Sequence, residues 1–444
     1  MKTSILQKLS RRRVSPLAVA IASLLAGLPI LSIAGTVGVV CSTGPNFNLE
    51  TKAGDIQLPD GNTMYMWGYS LQGQTFQHPG PVLCVNEGDT VNITLTNSLA
   101  EPASIMFPGQ DNVMNVGFSG TTEVIVPVQP QFTSGRAISL TNTATANGGT
   151  VQYRFVAGKP GTYLYESGTN PQKQVRMGLF GTLVVRPSAG SDQLYISANS
   201  KFTTSINTSP ASNWNEEFLV LLSEIDPYQH WAIEANPLAA FNFNNYKPRY
   251  WLINGRGLPD SIADNNATFL PAQPYGSLAR IHPLDATKHP YPGAIRYLNV
   301  GSEDYPFHPH GNNGAVVGRD GRPLETASGR DSSFEKFVVP VGPGQTWDVL
   351  FSWHDAENYS PANPVDINIP QIANQFFGMF YNFSPYLGLQ GQQPPNWSTL
   401  NTCGEYYIIS HNHALYQLTS WGVNMTGPGT YTRVDPPLPN NCVL

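Results

Sequence analysis

The chain has 444 residues, of which 12% are charged, with 30 acidic against 24 basic side chains. That length leaves room for more than one domain, and the acidic balance argues against nucleic acid or an anionic membrane as partner. With 41 Gly, 38 Pro and many Tyr, Phe, Val, Thr and Asn, the composition describes short strands joined by turns rather than a helical bundle.

Residues 1–34 read as a signal peptide. Lys2, Lys8 and Arg11-Arg12-Arg13 form a positive start, Leu17 to Ile33 an apolar run, and Ser32-Ile33-Ala34 offers small residues for cleavage. Ser10-Arg11-Arg12-Arg13-Val14 resembles a twin-arginine signal; the alternative is an ordinary secretory leader with a basic start. Either predicts a periplasmic or secreted protein. Past the leader, 19 basic side chains face 30 acidic ones, a net of -11. Gly38-Val39-Val40 before Cys41 is a poor lipidation box, and no later stretch is apolar enough to span a bilayer. The mature chain is therefore expected not to insert in a membrane.

Strand signals follow in series. Thr90 to Thr96 and Thr150 to Phe155 alternate apolar with polar residues, and Gly181 to Val185 fits a buried strand. Pro59-Asp60-Gly61, His78-Pro79-Gly80-Pro81 and Lys159-Pro160-Gly161 are turn signals between them. This texture predicts a first β-sandwich over 35–187. Residues 188–213, rich in Ser, Thr and Asn, read as a linker. A second series begins at Glu217 to Ser223 and continues at Tyr250 to Gly255, Ala294 to Val300 and Thr346 to Ser352. It predicts a second sandwich over 214–444, in which 353–400 form long surface loops.

The four cysteines are Cys41, Cys84, Cys403 and Cys442. Export permits disulfides, and three pairings are open. Cys41–Cys84 and Cys403–Cys442 would each staple one half of the chain, whereas the other pairings bridge the halves. Four of the nine histidines form two His-x-His pairs, His308/His310 and His411/His413. In a strand, residues i and i+2 face the same way, so two neighbouring strands would bring four imidazoles together as ligands for copper, zinc, iron or nickel. Glu303, Asp304 and Asn312 lie close enough in sequence to orient those rings. His78, His230, His282, His289 and His354 read as ordinary loop or edge residues.

Several segments resemble the multicopper oxidase family, built from cupredoxin β-sandwiches. His78 to Thr90 is similar to that family's first-domain opening. Pro160 to Gly168 and Met177 to Pro187 are similar to the end of that domain, and Glu217 to Asp226 to the start of the next. Leu252-Ile-Asn-Gly-Arg-Gly257 resembles its recurrent turn, Tyr305 to Gly311 its third copper motif, and His411-Asn412-His413 falls where its fourth belongs. The resemblance covers nearly the whole mature chain. It implies an all-β fold of two cupredoxin-like Greek-key sandwich domains.

The departures bear on function. The family's mononuclear copper site takes a Cys and two His, because soft sulfur tunes the potential and passes the electron on. The corresponding positions here are Asn412, Tyr305 and Gln417. Its trinuclear site takes eight His. In the first domain those slots hold Met106, Pro108, Glu166 and Gly168. The resemblance therefore implies copper, with zinc as second choice, at His308, His310, His411 and His413, with Glu166 and Met106 as weaker candidate ligands. Two-domain family members commonly form homotrimers in which one subunit's first domain meets its neighbour's second at the metal, which would bring Glu166 in across an interface. The expected function is copper binding, with catalysis left open; the runner-up is an oxidoreductase of other than ordinary laccase type, with a mono- or dinuclear copper centre and an external electron donor. The alternative is a metal-free, partner-binding scaffold.

Overall fold

A computed structural model of the chain describes residues 37–187, 193–195, 197, 208–209, 214–354, 406–423 and 425–439. Residues 1–34, expected to be a leader, Cys403, Cys442 and nearly all of the loop-rich stretch 353–400 lie outside the described residues.

Alternation builds the first sandwich. In Thr90–Asn97 the side chains of Val91, Ile93 and Leu95 turn inward, and in Gly149–Val156 those of Val151, Tyr153 and Phe155 do the same. Its six-stranded sheet runs Thr63–Leu71, Asn46–Gln57, Thr90–Asn97, Gly149–Val156, Met114–Ser119, Thr122–Pro127. The facing sheet runs Ser42–Thr43, Leu83–Asn86, Phe180–Arg186, Gly161–Glu166. Asn46–Gln57 pairs in parallel with Thr90–Asn97, and Leu83–Asn86 with Phe180–Arg186. Parallel neighbours need crossovers between the layers, which gives the Greek-key connectivity. Cys41 and Cys84 form a disulfide, one of the open pairings. Closing a loop of 43 residues restricts the unfolded chain by about 4 kcal/mol in the chain-entropy account.

The second sandwich repeats the plan. One sheet runs Tyr250–Ile253, Glu217–Ile225, Gly293–Asn299, Thr346–Phe351, Gly314–Arg319, with Arg322–Pro323 and Phe334–Lys336 both paired to the last of these. The other runs Ala279–Ile281, Gly429–Val434, Tyr406–Asn412, Tyr305–Pro309, Val339–Val341. Every strand anticipated from the sequence is present, within two residues at each end. Among the described residues no helix is long and apolar enough to cross a membrane.

The sandwiches share a core. Val82, Leu164 and Val184 of the first pack with Leu219, Leu221 and Leu298 of the second. Charged groups inside this contact are paired. Arg296 Nε donates to Glu217 Oε1 at 2.6 Å, and Arg186 Nη2 to Glu217 Oε2 at 2.5 Å. Burial pushes the Glu217 carboxyl up, but the two guanidinium groups outweigh it and hold it at about 2. Thr162 of the first sandwich donates to Asp348 of the second at 2.5 Å.

Candidate metal centre

Tyr305–Pro309 and Tyr406–Asn412 are antiparallel neighbours, with His308 opposite His411 and Phe307 opposite Asn412. Along the first strand Tyr305, Phe307 and Pro309 face the core while Pro306 and His308 face out. On the second, Ile408, Ser410 and Asn412 are buried and His411 lies on the other face. The chain leaves the first strand through Gly311 at φ 75°, a left-handed conformation that suits glycine. A Cβ at Gly311 would also lie 2.8 Å from Ile408 Cδ1.

All four imidazoles meet on the outer face. Ring centroids of His308 lie 4.4 Å from His310, 5.9 Å from His411 and 5.3 Å from His413. His411 lies 5.2 Å from His310 and 5.7 Å from His413. The Nε2 atoms of His310 and His411 are 3.1 Å apart. His308 Nδ1 donates to the Phe337 carbonyl at 2.6 Å, and His411 Nδ1 to the Asn412 carbonyl at 2.9 Å. Since a carbonyl only accepts, both rings are fixed with Nε2 carrying the lone pair. Partial burial, then the neighbouring imidazoles, pull His310 down to about 4, and burial also lowers His411. Both are therefore neutral at neutral pH, the form that ligates metal. The cluster borders an open cleft of about 480 Å³ lined by His308, His310, Asn312, Asn313 and Phe337.

The ring-orienting partners are not those anticipated. Asn312 Nδ2 donates to the Ser352 carbonyl at 2.5 Å. Glu303 Oε2 accepts from Trp251 Nε1 at 2.9 Å, Gln417 Nε2 at 2.7 Å and Tyr416 OH at 3.2 Å. Gln417 Nε2 also lies 3.3 Å from the Asp304 carbonyl. Asn312 lines the cleft but bonds to the backbone. For Glu303 and Asp304 strand alternation explains this: they serve the opposite face. There Asn412 Nδ2 donates to Gln417 Oε1, and the buried Tyr305 hydroxyl donates to Glu224 Oε2 at 2.8 Å.

Met106 and Glu166 sit together in the first sandwich. Met106 N donates to the Glu166 carbonyl at 2.6 Å and Glu166 N to the Met106 carbonyl at 3.1 Å. Burial raises the Glu166 carboxyl. A Cβ added at Gly168 would meet Met106 Cγ at 2.7 Å, so Met106 fills the space a side chain there would need. Within one chain, no described hydrogen bond or ring contact joins Met106 or Glu166 to the four imidazoles.

A second cluster escaped the sequence reading. Of the five histidines taken for loop or edge residues, His78, His230, His282 and His289 are at most 2% exposed; only His354 lies at the surface. Glu216, His282 and His289 each bring a donor atom within 4.8 Å of the others' and could hold a metal. His282 Nδ1 lies 2.6 Å and His289 Nε2 3.0 Å from Glu216 Oε1, while His282 Nε2 lies 3.4 Å from Asp435 Oδ2. Burial depresses His282, but Asp435 and Glu216 outweigh it and hold it up at about 9. The residues are 66 and 73 positions apart in sequence. The one available signal was that both histidines flank a strand register, His282 directly after Ala279–Ile281 and His289 in a tight hairpin with Asp285.

The multicopper oxidase family model matches residues 52–138. The chain is 31% identical over 159 residues to the "Probable nitrite reductase-hydroxylamine oxidoreductase fusion protein" of Kuenenia stuttgartiensis, covering 34% of this chain and 17% of that protein. It is 27% identical over 201 residues to L-ascorbate oxidase of Cucumis sativus, covering 44% of this chain and 27% of that enzyme. The chain is thus similar to multicopper oxidases, with the family model matching one segment of it. Its match spans about a quarter or less of each of those relatives' length. Among solved structures, the multicopper oxidase mgLAC superposes with TM-score 0.52 at 18% identity, over 88% of this chain and 86% of that one. The blue copper oxidase of Nitrosomonas europaea gives 0.50 at 18%, over 88% and 85%. At such identity these two show the shared cupredoxin fold of the multicopper oxidases.

Proposed function

We propose that this multicopper-oxidase-like chain is an exported protein that binds copper through His308, His310, His411 and His413 and works without the electron relay of a laccase. One observation carries the reading: two His-x-His pairs on paired strands turn four imidazoles to one face. The donor set suits the metal, since imidazole is a good copper ligand. The 3.1 Å between Nε2 of His310 and His411 is near the ~3.3 Å separating two imidazoles on one tetrahedral ion. Copper, once bound, would supply a redox-active centre; zinc is the second choice. The chain's own part is to fix tautomers through the Phe337 and Asn412 carbonyls, to keep His310 and His411 neutral, and to leave the cluster open to solvent.

The same positions argue against laccase chemistry. Asn412 and Gln417, where the family places a thiolate and an imidazole, are bound to each other, and Gln417 also to Glu303. Neither passes electrons as a copper thiolate does, so any electron for this centre comes from an external donor. On the first-domain side, Gly168 is closed by Met106. Glu166 remains as a carboxylate that a neighbouring subunit's cluster could use. In support of a homotrimer, the strand Thr122–Pro127 is exposed along its whole length, with Val124, Ile125 and Val126 open to solvent beside Phe118. Large exposed apolar patches mark interaction surfaces.

The test is metal analysis of protein exported to the periplasm. Bound copper that disappears in His308→Ala/His411→Ala supports the proposal. Folded protein without copper favours the scaffold reading, in which the His310–His411 contact is a plain N–H···N hydrogen bond. An intense thiolate-to-copper band near roughly 600 nm would overturn the assignment of Asn412.

A further inference from the structure

We propose a second metal site, buried and structural, in which Glu216, His282 and His289 hold one divalent ion of the zinc class. The site is built from three separate segments: the entry to the strand Glu217–Ile225, the exit of Ala279–Ile281, and the Asp285–His289 hairpin. Two imidazoles and a carboxylate are a zinc donor set, and Glu216 can supply a fourth donor with its second oxygen. That oxygen, Oε2, is buried without a hydrogen-bond partner, in a residue only 1% exposed. A buried carboxylate oxygen left unpaired is costly, and a cation at the cluster would satisfy it.

The surroundings have the form of a ligand support. His282 points Nδ1 at Glu216 while its Nε2 faces Asp435. A carboxylate holding the far nitrogen of a ligating imidazole is how metal sites fix ring orientation. Asp435 is itself held by Arg280 Nε and Arg433 Nε, each at 2.6 Å. Both arginines address Asp435, while Glu216 Oε1 meets the two imidazoles and the His282 backbone N–H. Without an ion, His282 Nδ1 and His289 Nε2 both close on Glu216 Oε1; with an ion, these same atoms are the ligands. The metal would clamp three chain segments beside the C-terminal strand Gly429–Val434, and it would stabilise the folded state by binding it alone.

The experiment uses the full chain carrying His308→Ala, His310→Ala, His411→Ala and His413→Ala, so that the outer cluster contributes nothing. After purification with zinc and removal of loose ions, one zinc per chain and a melting temperature lowered by strong chelator are expected. Glu216→Gln in that background should lose the zinc and the chelator response. Should Glu216→Gln fail to fold, nitrogen NMR of labelled histidine in the Glu216-intact protein decides instead. A neutral His282 with a metal-shifted Nδ1 supports the site. A His282 protonated at both nitrogens in excess zinc, or folded protein with no zinc and no chelator response, overturns it.

Discussion

The two histidine clusters of the second sandwich differ in what holds them. The outer one is four imidazoles on a strand pair, open to a cleft and anchored by two backbone carbonyls. The inner one is two imidazoles on Glu216, of which His282 also reaches Asp435, with arginines behind. An exposed cluster can lose side chains without disturbing the core, so its composition is free to follow chemistry. A buried one is bound into the fold's own charge balance, so each substitution carries a stability cost. Metal content and stability should therefore separate cleanly between the two.

The sharpest break is expected at the outer cluster. His308→Ala/His411→Ala should abolish copper binding there, read as metal per chain, while unfolding free energy changes by less than about 1 kcal/mol. Retained copper would mean that these rings are not the ligands. At the inner cluster the order reverses. Asp435→Asn removes the carboxylate that Arg280 and Arg433 both address, and breaking one side of a buried pair costs about 3–5 kcal/mol. A urea midpoint unchanged by Asp435→Asn would show that the inner network contributes nothing to the fold.

This contrast also explains what the sequence made legible. Period-two alternation found Thr90–Asn97 and Gly149–Val156, which bury one face, and apolar runs found strands such as Phe180–Arg186 that are buried on both. The His-x-His spacing found the outer cluster because its ligands are neighbours along two strands. The inner cluster is assembled from positions 66 and 73 residues apart, and no local pattern encodes that meeting. His282 before Pro283, and His289 before Pro290, look like loop residues in one dimension, yet both are buried. The misjudged ring partners Glu303 and Asp304 failed for the complementary reason: sequence proximity ignores which face a strand presents.

A third set of histidines sharpens the comparison through pH. His78 and His230 are fully buried but lack a carboxylate clamp. Burial pulls His78 down to about 3, helped by His230, and pulls His230 to about 4. The sign follows from proton binding: below the ordinary value of 6.5 the unfolded chain takes up protons that the folded one refuses. Their contribution is thus complete above that pH and is lost as pH falls toward the folded values. By pH ~5.5 the pair should lower unfolding free energy by about 2–3 kcal/mol. Urea melts of the metal-free protein at several pH values measure this, and His230→Gln should reduce the acid loss by about half. An identical acid response in that variant would remove His230 from the account.

The smallest effect concerns whether the outer cluster is as open in the assembled protein as it is in one chain. Ile125 lies in the exposed strand Thr122–Pro127 and is 41% exposed. Changing an exposed side chain of this kind shifts monomer stability by no more than about 0.5 kcal/mol, so Ile125→Lys should leave the melting curve of the isolated chain nearly untouched. A lysine there would nevertheless place a charge in any interface built on that strand. If a neighbouring subunit covers the face, sedimentation of Ile125→Lys should show a lighter species than the unsubstituted protein. Copper affinity should fall with it wherever Glu166 is supplied across the contact. If both proteins sediment alike as single chains, the outer cluster keeps its open cleft, and Glu166, on the first sandwich and out of contact with it, drops out as a ligand.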